Sequence, residues 1–142
     1  MQTMVLCASP AYLQVHGAPR SVADLAGHRC IAYMRSGRAA PWGLAGEDGS
    51  LAAPVLEPAL GFDDIETIAT ATLQGAGLAH MPLWRVRSAL DSGALVRLLP
   101  DVPAARIPLH VLWPRTRFLP YRLRVTIDAL LAAIPPLLQE QS

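Results

Sequence analysis

Short apolar runs, each followed by a helix-start signal, constrain this chain more than any other feature. Residues 4–7 are apolar and lead into Ser9-Pro10, a cap residue followed by the proline favoured at a first helical position. Residues 56–62 lead into Asp63, residues 78–81 into Pro82, and the alternating Ile107, Leu109, Val111 and Trp113 lead towards Pro120. Strand then helix, repeated in this way, predicts an α/β fold in which helices cross over a sheet. At 142 residues the chain is sized for one domain with a core of its own. A hydrophobic share of 52% against 16% charged residues excludes wholesale disorder. No apolar run approaches the roughly 18–20 residues of a membrane helix, so no membrane partner is expected. Residues 1–6 are apolar without a basic leader, which leaves no visible signal peptide and predicts a cytoplasmic protein.

The individual elements follow from the same signals. A helix over 10–16 stops at Gly17, and a second short helix runs from Ser21 to Gly27 with Asp24 in capping-box spacing. Residues 30–33 read as a strand. Residues 35–53, rich in glycine and proline, suit a hairpin or irregular loop in which Trp42 and Leu44 anchor one strand. Pro58 implies that the strand over 56–62 is an edge or carries a bulge. The strongest helix opens at Asp63 with Glu66 as its capping partner; Ile65, Ile68, Ala69 and Thr72 form its buried face and Gly75 its stop. A strand over 78–81, a helix from Pro82 closed by Gly93 and a strand over 95–99 come next. The alternation over 107–113 predicts a strand with one buried face. The last helix opens at Pro120, presents Leu123, Ile127, Leu130, Leu131 and Ile134 on one face, and ends at Pro135-Pro136. A boundary falls in the proline-rich segment 100–108.

Chemical motifs are few. A net charge of +1, carried on the basic side entirely by arginines that form no run, does not suit a nucleic-acid-binding domain. Gly75-Ala76-Gly77 lies between a helix and a strand, and His80 stands where a dinucleotide fingerprint needs its third glycine, so a tight turn is the better reading. His28-Arg29-Cys30 offers two metal ligands at most, and a capped turn entering a buried strand explains it equally. Asp63, Asp64 and Glu66 resemble a carboxylate pair for acid–base work, but helix capping already accounts for them. His110 reads as a structural histidine in mid-strand, and Arg115 and Arg117 as a solvated loop. Cys7 and Cys30, in a chain without a leader, read as reduced and buried rather than paired. With no nucleophile–base–orienter set and no metal-ligand spacing, neither catalysis, nor a metal, nor a cofactor is expected.

Taken in order, the motifs resemble a known family. They are Val5-Leu6-Cys7-Ala8-Ser9-Pro10-Ala11-Tyr12-Leu13, Gly17-Ala18-Pro19, and Asp24-Leu25-Ala26-Gly27-His28-Arg29-Cys30-Ile31. Phe62-Asp63-Asp64 and Gly75-Ala76-Gly77-Leu78-Ala79-His80-Met81-Pro82 follow. The series closes with Gly93-Ala94-Leu95-Val96-Arg97-Leu98-Leu99-Pro100, Leu109-His110-Val111-Leu112-Trp113-Pro114 and Arg122-Leu123-Arg124-Val125-Thr126-Ile127-Asp128-Ala129-Leu130. Nearly the whole chain thus resembles the effector-binding (regulatory) domain of LysR-type transcriptional regulators. The resemblance implies a fold like the type II periplasmic binding proteins, with two α/β lobes around a small-molecule cleft. Residues 1–100 would be the second lobe, and 101–142 the returning strand and helix of the first. It also implies DNA binding only through a winged helix-turn-helix, which these residues do not contain. A lobe of a solute-binding transport protein shares the fold and is the alternative; a small α/β enzyme is a third reading.

The implied ligand side of the cleft lies at strand carboxyl ends and helix N-termini. Candidate ligand-binding residues are therefore Ala8 and Ser9, Phe62, Asp63 and Asp64, and Met81 and Pro82. Free amides at such helix starts suit an anionic effector such as a carboxylate, although Asp63 occupies its own helix start. Caps and core account for the same residues without a ligand. A homo-oligomer is also expected. The strand and helix of the tail carry an apolar stripe that needs a partner, and the segment 100–108 is a natural hinge for exchanging that tail between two copies.

Overall fold

A computed structural model describes residues 1–45, 51–52, 57–103, 106–113, 118 and 120–138. The strands are β1 (Gln2–Ala8), β2 (Cys30–Arg35), β3 (Arg38–Ala39), β4 (Leu44–Ala45), β5 (Leu51–Ala52), β6 (Leu60–Phe62), β7 (Leu78–Pro82), β8 (Val96–Leu98) and β9 (Arg106–Ile107). The helices are α1 (Pro10–His16), α2 (Ile65–Leu73), α3 (Leu83–Asp91) and α4 (Tyr121–Leu138), with a 3-10 helix over Ala23–Gly27.

The main sheet runs in the order β3-β2-β7-β1-β8, with β6 beside β2 and β9 beside β1, while β4 and β5 pair with each other. β2, β6 and β7 are parallel, and β1 runs antiparallel to β7, β8 and β9. β1 is an interior strand with a core on each face, which explains its unbroken apolar run: a strand covered on both faces has no need of polar alternation. Val5 and Cys7 enter one core with Ile31, Ala79 and Met81, roofed by Ile68 and Ala69 of α2 and by Leu83 and Val86 of α3. Leu6 and Ala8 enter the other with Tyr12, Leu25, Trp42, Leu44 and Leu78.

Local chemistry sets the elements as the sequence signals predict, with adjustments. Ser9 caps α1, its Oγ accepting from the Tyr12 amide at 3.3 Å. The Arg29 amide donates to the Tyr12 hydroxyl at 3.0 Å, and that hydroxyl lies 3.1 Å from His28 Nδ1. Ser21 and Asp24 exchange capping hydrogen bonds, but the turn they open is 3-10 rather than α. Gly75 has φ +79, and an added Cβ at Gly77 would lie 2.3 Å from the Arg29 carbonyl oxygen, so both glycines serve the tight turn from α2 into β7. Both cysteines are buried free thiols, and they lie in different cores.

Several expectations need correction. The cap of α2 is Asp64, not Asp63: Asp64 is extended, and its carboxylate accepts from the Thr67 amide at 2.8 Å and the Thr67 hydroxyl at 2.7 Å. Two adjacent aspartates leave the start ambiguous by one residue, and the hydroxyl at Thr67 decides it. The expected strand over 107–113 stops at Ile107, and His110 lies in exposed coil instead of mid-strand. β9 pairs Ile107 with Gln2, so the next pair would set Pro108 opposite Met1, and proline has no amide hydrogen for the ladder. Pro135 and Pro136 do not end α4, which runs to Leu138. Their missing amides leave the carbonyls of Leu131 and Ala132 without helical donors, and both residues stand on an exposed stretch open to solvent. The α4 stripe is only partly covered: Ile127 is buried, Leu123 and Ile134 are half-buried, and Leu130 and Leu131 are exposed. The strand read over 56–62 is observed at Leu60–Phe62, leaving Pro58 outside the ladder. Arg115 and Arg117 lie outside the described residues.

Candidate functional site

Strand direction decides which candidate residues meet. β6 and β7 end side by side with β2, because Tyr33 pairs with Phe62 and Ile31 with Ala79. Each then turns into a helix: Phe62 leads through Asp63 and Asp64 into α2, and Met81-Pro82 leads into α3. Phe62, Asp63, Asp64, Met81 and Pro82 therefore gather at the carboxyl end of the parallel strands. β1 begins at this end, with Met4 opposite Pro82, and finishes at the other, with Cys7 opposite Ala79. Ala8 and Ser9 consequently stand some four residues away along β1, roughly 13 Å at ~3.3 Å per residue.

The side chains at the gathered end differ in what they can offer. Met81 is buried in the α2/α3 core and Pro82 is buried behind it. Phe62 is half-buried against that core, and Asp63 is exposed. Asp64 is exposed too, but its carboxylate is engaged by Thr67, and those bonds hold its pKa below the ordinary carboxylate value. The first turns of α2 and α3 are tied together by a bidentate Arg85–Glu66 ion pair. Pro82, the residue before α3, gives no side-chain acceptor to that helix's first-turn amides. Trp84 Nε1 donates to Gln2 Oε1 at 3.0 Å, fastening α3 to the start of β1 beside the β1–β9 pairing.

At the far end, Ala8 and Ser9 are buried, and Ser9 Oγ is occupied in capping α1.

The sequence reading passed over some residues. His80, on β7, lies against Trp42 with ring centroids 5.8 Å apart, and its Nε2 is buried without a hydrogen-bond partner. Burial lowers its pKa to about 4, so the imidazole is neutral at physiological pH. The signal was available: an ionisable residue inside the apolar run 78–82 must either find a partner or stay uncharged. Tyr33, beside Phe62, was read only as part of a strand, yet it is 41% exposed at the gathered end.

Nucleophile chemistry finds no footing at the thiols. Burial pushes Cys7 up to about 12 and Cys30 up to about 11, far from the thiolate form. Among the described residues no group of three or more His, Cys, Asp or Glu side chains could hold a metal ion. His28 and Cys30, the two possible ligands, are engaged with Tyr12 and with backbone carbonyls. No helix among the described residues is long and apolar enough to cross a membrane.

Comparison with known proteins agrees with this architecture. Residues 1–135 match the family described as the LysR substrate binding domain. The probable HTH-type transcriptional regulator LtrA of Klebsiella pneumoniae is 31% identical over 136 residues, which is 94% of this chain and 44% of that protein. Among solved structures, the regulatory domain of the LysR-type regulator CrgA from Neisseria meningitidis matches with a TM-score of 0.70 at 23% identity, over 92% of this chain and 64% of that one. The regulatory domain of AphB from Vibrio vulnificus matches with a TM-score of 0.67 at 25% identity, over 91% of this chain and 63% of that one. The chain spans less than half the length of the curated relatives it matches. The fold is that of the LysR regulatory domains, the type II periplasmic-binding-protein-like arrangement.

Proposed function

The chain belongs to the LysR substrate-binding domain family, and from that premise we propose that it senses a small-molecule effector at the sheet end where Phe62, Asp63, Asp64, Met81 and Pro82 gather. One observation carries the placement. Two strand-to-helix turns, β6–α2 and β7–α3, flank β2 at the carboxyl end of the parallel strands, where ligands of α/β folds bind. Of the residues there, Phe62 offers an apolar surface and the start of α3 offers uncapped amides. Ala8 and Ser9 contribute to the lobe's core and the α1 cap rather than to this end.

In this reading the chain is the sensing part of a cytoplasmic transcriptional regulator. It performs no catalysis and needs no cofactor, and its DNA contacts belong to a winged helix-turn-helix outside these 142 residues. Residues 1–100 form the ligand-bearing lobe, and 101–142 belong to a second. The cores support that division: among the described residues both are built from residues before 103, and Ile127 is the one buried residue of α4. The exposed Leu130 and Leu131 of the α4 stripe, with exposed Leu109, Leu112 and Trp113, support self-association of the tail. Chemical-shift mapping of the labelled chain against a mixture of small organic acids tests the site. Shifts concentrated at residues 62–65 and 83–85 are expected; shifts concentrated around Ala8, Ser9 and Gly75 would place the site at the wrong end.

A further inference from the structure

We propose that Arg35 and Arg38, on the β2–β3 hairpin, form a clamp for the carboxylate of a planar organic acid; the inference rests on the site reading above and names the chemistry of its ligand. The hairpin turns on Ser36 and Gly37 alone, both left-handed at φ 50 and φ 75. Its register sets Arg35 directly opposite Arg38. Directly opposed residues of an antiparallel pair point to the same side, with Cβ atoms about 5 Å apart. Two like charges so placed weaken the ladder, and among the described residues neither guanidinium meets a carboxylate. An anion between them removes that repulsion and accepts a forked hydrogen bond from each.

The face on which they stand supplies the rest of the site. Side chains alternate along β2, so Tyr33 and Arg35 follow Ile31 onto the side covered by α2 and α3. β2 outruns β7: Ile31 pairs with Ala79, so Met34 already reaches the level of Pro82 and the hairpin tip lies beyond it. By this register Arg35 and Arg38 lie beyond the level of Pro82 on the α2/α3 side of the sheet, one step along from Tyr33 and Phe62, whose backbones pair. Acidic groups at the same end are largely engaged: Asp64 by Thr67 and Glu66 by Arg85, leaving the exposed Asp63. The uncapped first turn of α3 adds positive potential from the same side. Guanidinium groups for the carboxylate and two rings for a flat body make an aromatic carboxylate the fitting ligand.

Benzoate, with the uncharged benzamide as its isostere, probes the clamp on the 142-residue chain by chemical-shift titration. Benzoate is expected to shift the amides of residues 33–38 and 62–65, and benzamide to bind at least about tenfold more weakly. Arg35→Gln and Arg38→Gln should each weaken benzoate binding by about tenfold while leaving the remaining amide spectrum unchanged. Equal binding of the two probes, or no shift up to about 20 mM benzoate, would overturn the proposal. Benzoate binding that survives both arginine variants but is lost in Phe62→Ala refutes the clamp and leaves the site standing.

Discussion

His80 gives the structure its sharpest pH signature. Its imidazole is held neutral beside Trp42, with a pKa of about 4 against the ordinary 6.5. The unfolded chain therefore binds a proton between these values that the folded chain refuses. Stability tied to His80 is complete above about pH 6.5 and falls as the pH drops to about 4, below which both states are protonated. The difference corresponds to about 3 kcal/mol. Urea unfolding of the wild type and of His80→Leu at pH 7.5, 5.5 and 4 isolates this effect. Asp24 and Asp64, whose carboxyls are stabilised in the charged form by hydrogen bonds, also lose stability in acid, but they do so in both proteins and cancel. At pH 7.5 the two proteins should lie within about 1 kcal/mol, since leucine replaces an unpaired buried nitrogen with an apolar group. By pH 4 the variant should be the more stable by about 3 kcal/mol relative to that baseline. Parallel pH profiles for the two proteins would refute the burial argument.

Three further outcomes follow from particular contacts. Gly77→Ala drives a Cβ against the Arg29 carbonyl oxygen at 2.3 Å and should cost more than about 2 kcal/mol in urea unfolding; a cost near that of a surface substitution would mean that the turn can shift. Cys7 and Cys30 should resist a thiol reagent at pH 8 until the protein is unfolded, given pKa values of about 12 and 11; rapid labelling of the native chain would contradict their burial. Light scattering at micromolar concentration should show a dimer that becomes a monomer when residues after Asp101 are removed; a monomeric full chain would show that the α4 stripe needs no second copy.

Much of the first hundred residues was legible because their signals are local. Ser9-Pro10, Gly75 and Pro82 mark element ends through backbone geometry that depends on few distant contacts. The buried face Ile68, Ala69 and Thr72 emerged from helical spacing alone. What stayed hidden depends on pairing across the sheet. The separation of Ala8 and Ser9 from Phe62 and Pro82 follows from β1 running antiparallel to β7, and strand direction leaves no mark in a short apolar run. The alternation of Ile107, Leu109, Val111 and Trp113 is a sound strand pattern, but a ladder needs an opposing strand, and here it ends where Pro108 would face Met1. The buried environment of His80 likewise required Trp42 to be folded against it.

The sensing role at the Phe62 end is tested most directly in the intact regulator, with Phe62→Ala and two readouts. Transcriptional response to the effector and affinity for the operator are measured on the same protein. Phe62 is half-buried against the α2/α3 core, at the sheet end proposed for the effector. The account predicts a response weakened by about tenfold or more, as expected for losing an aromatic contact to a ligand, with operator affinity nearly unaltered. Equal loss of both would make Phe62 a packing residue and contradict the placement of the effector site.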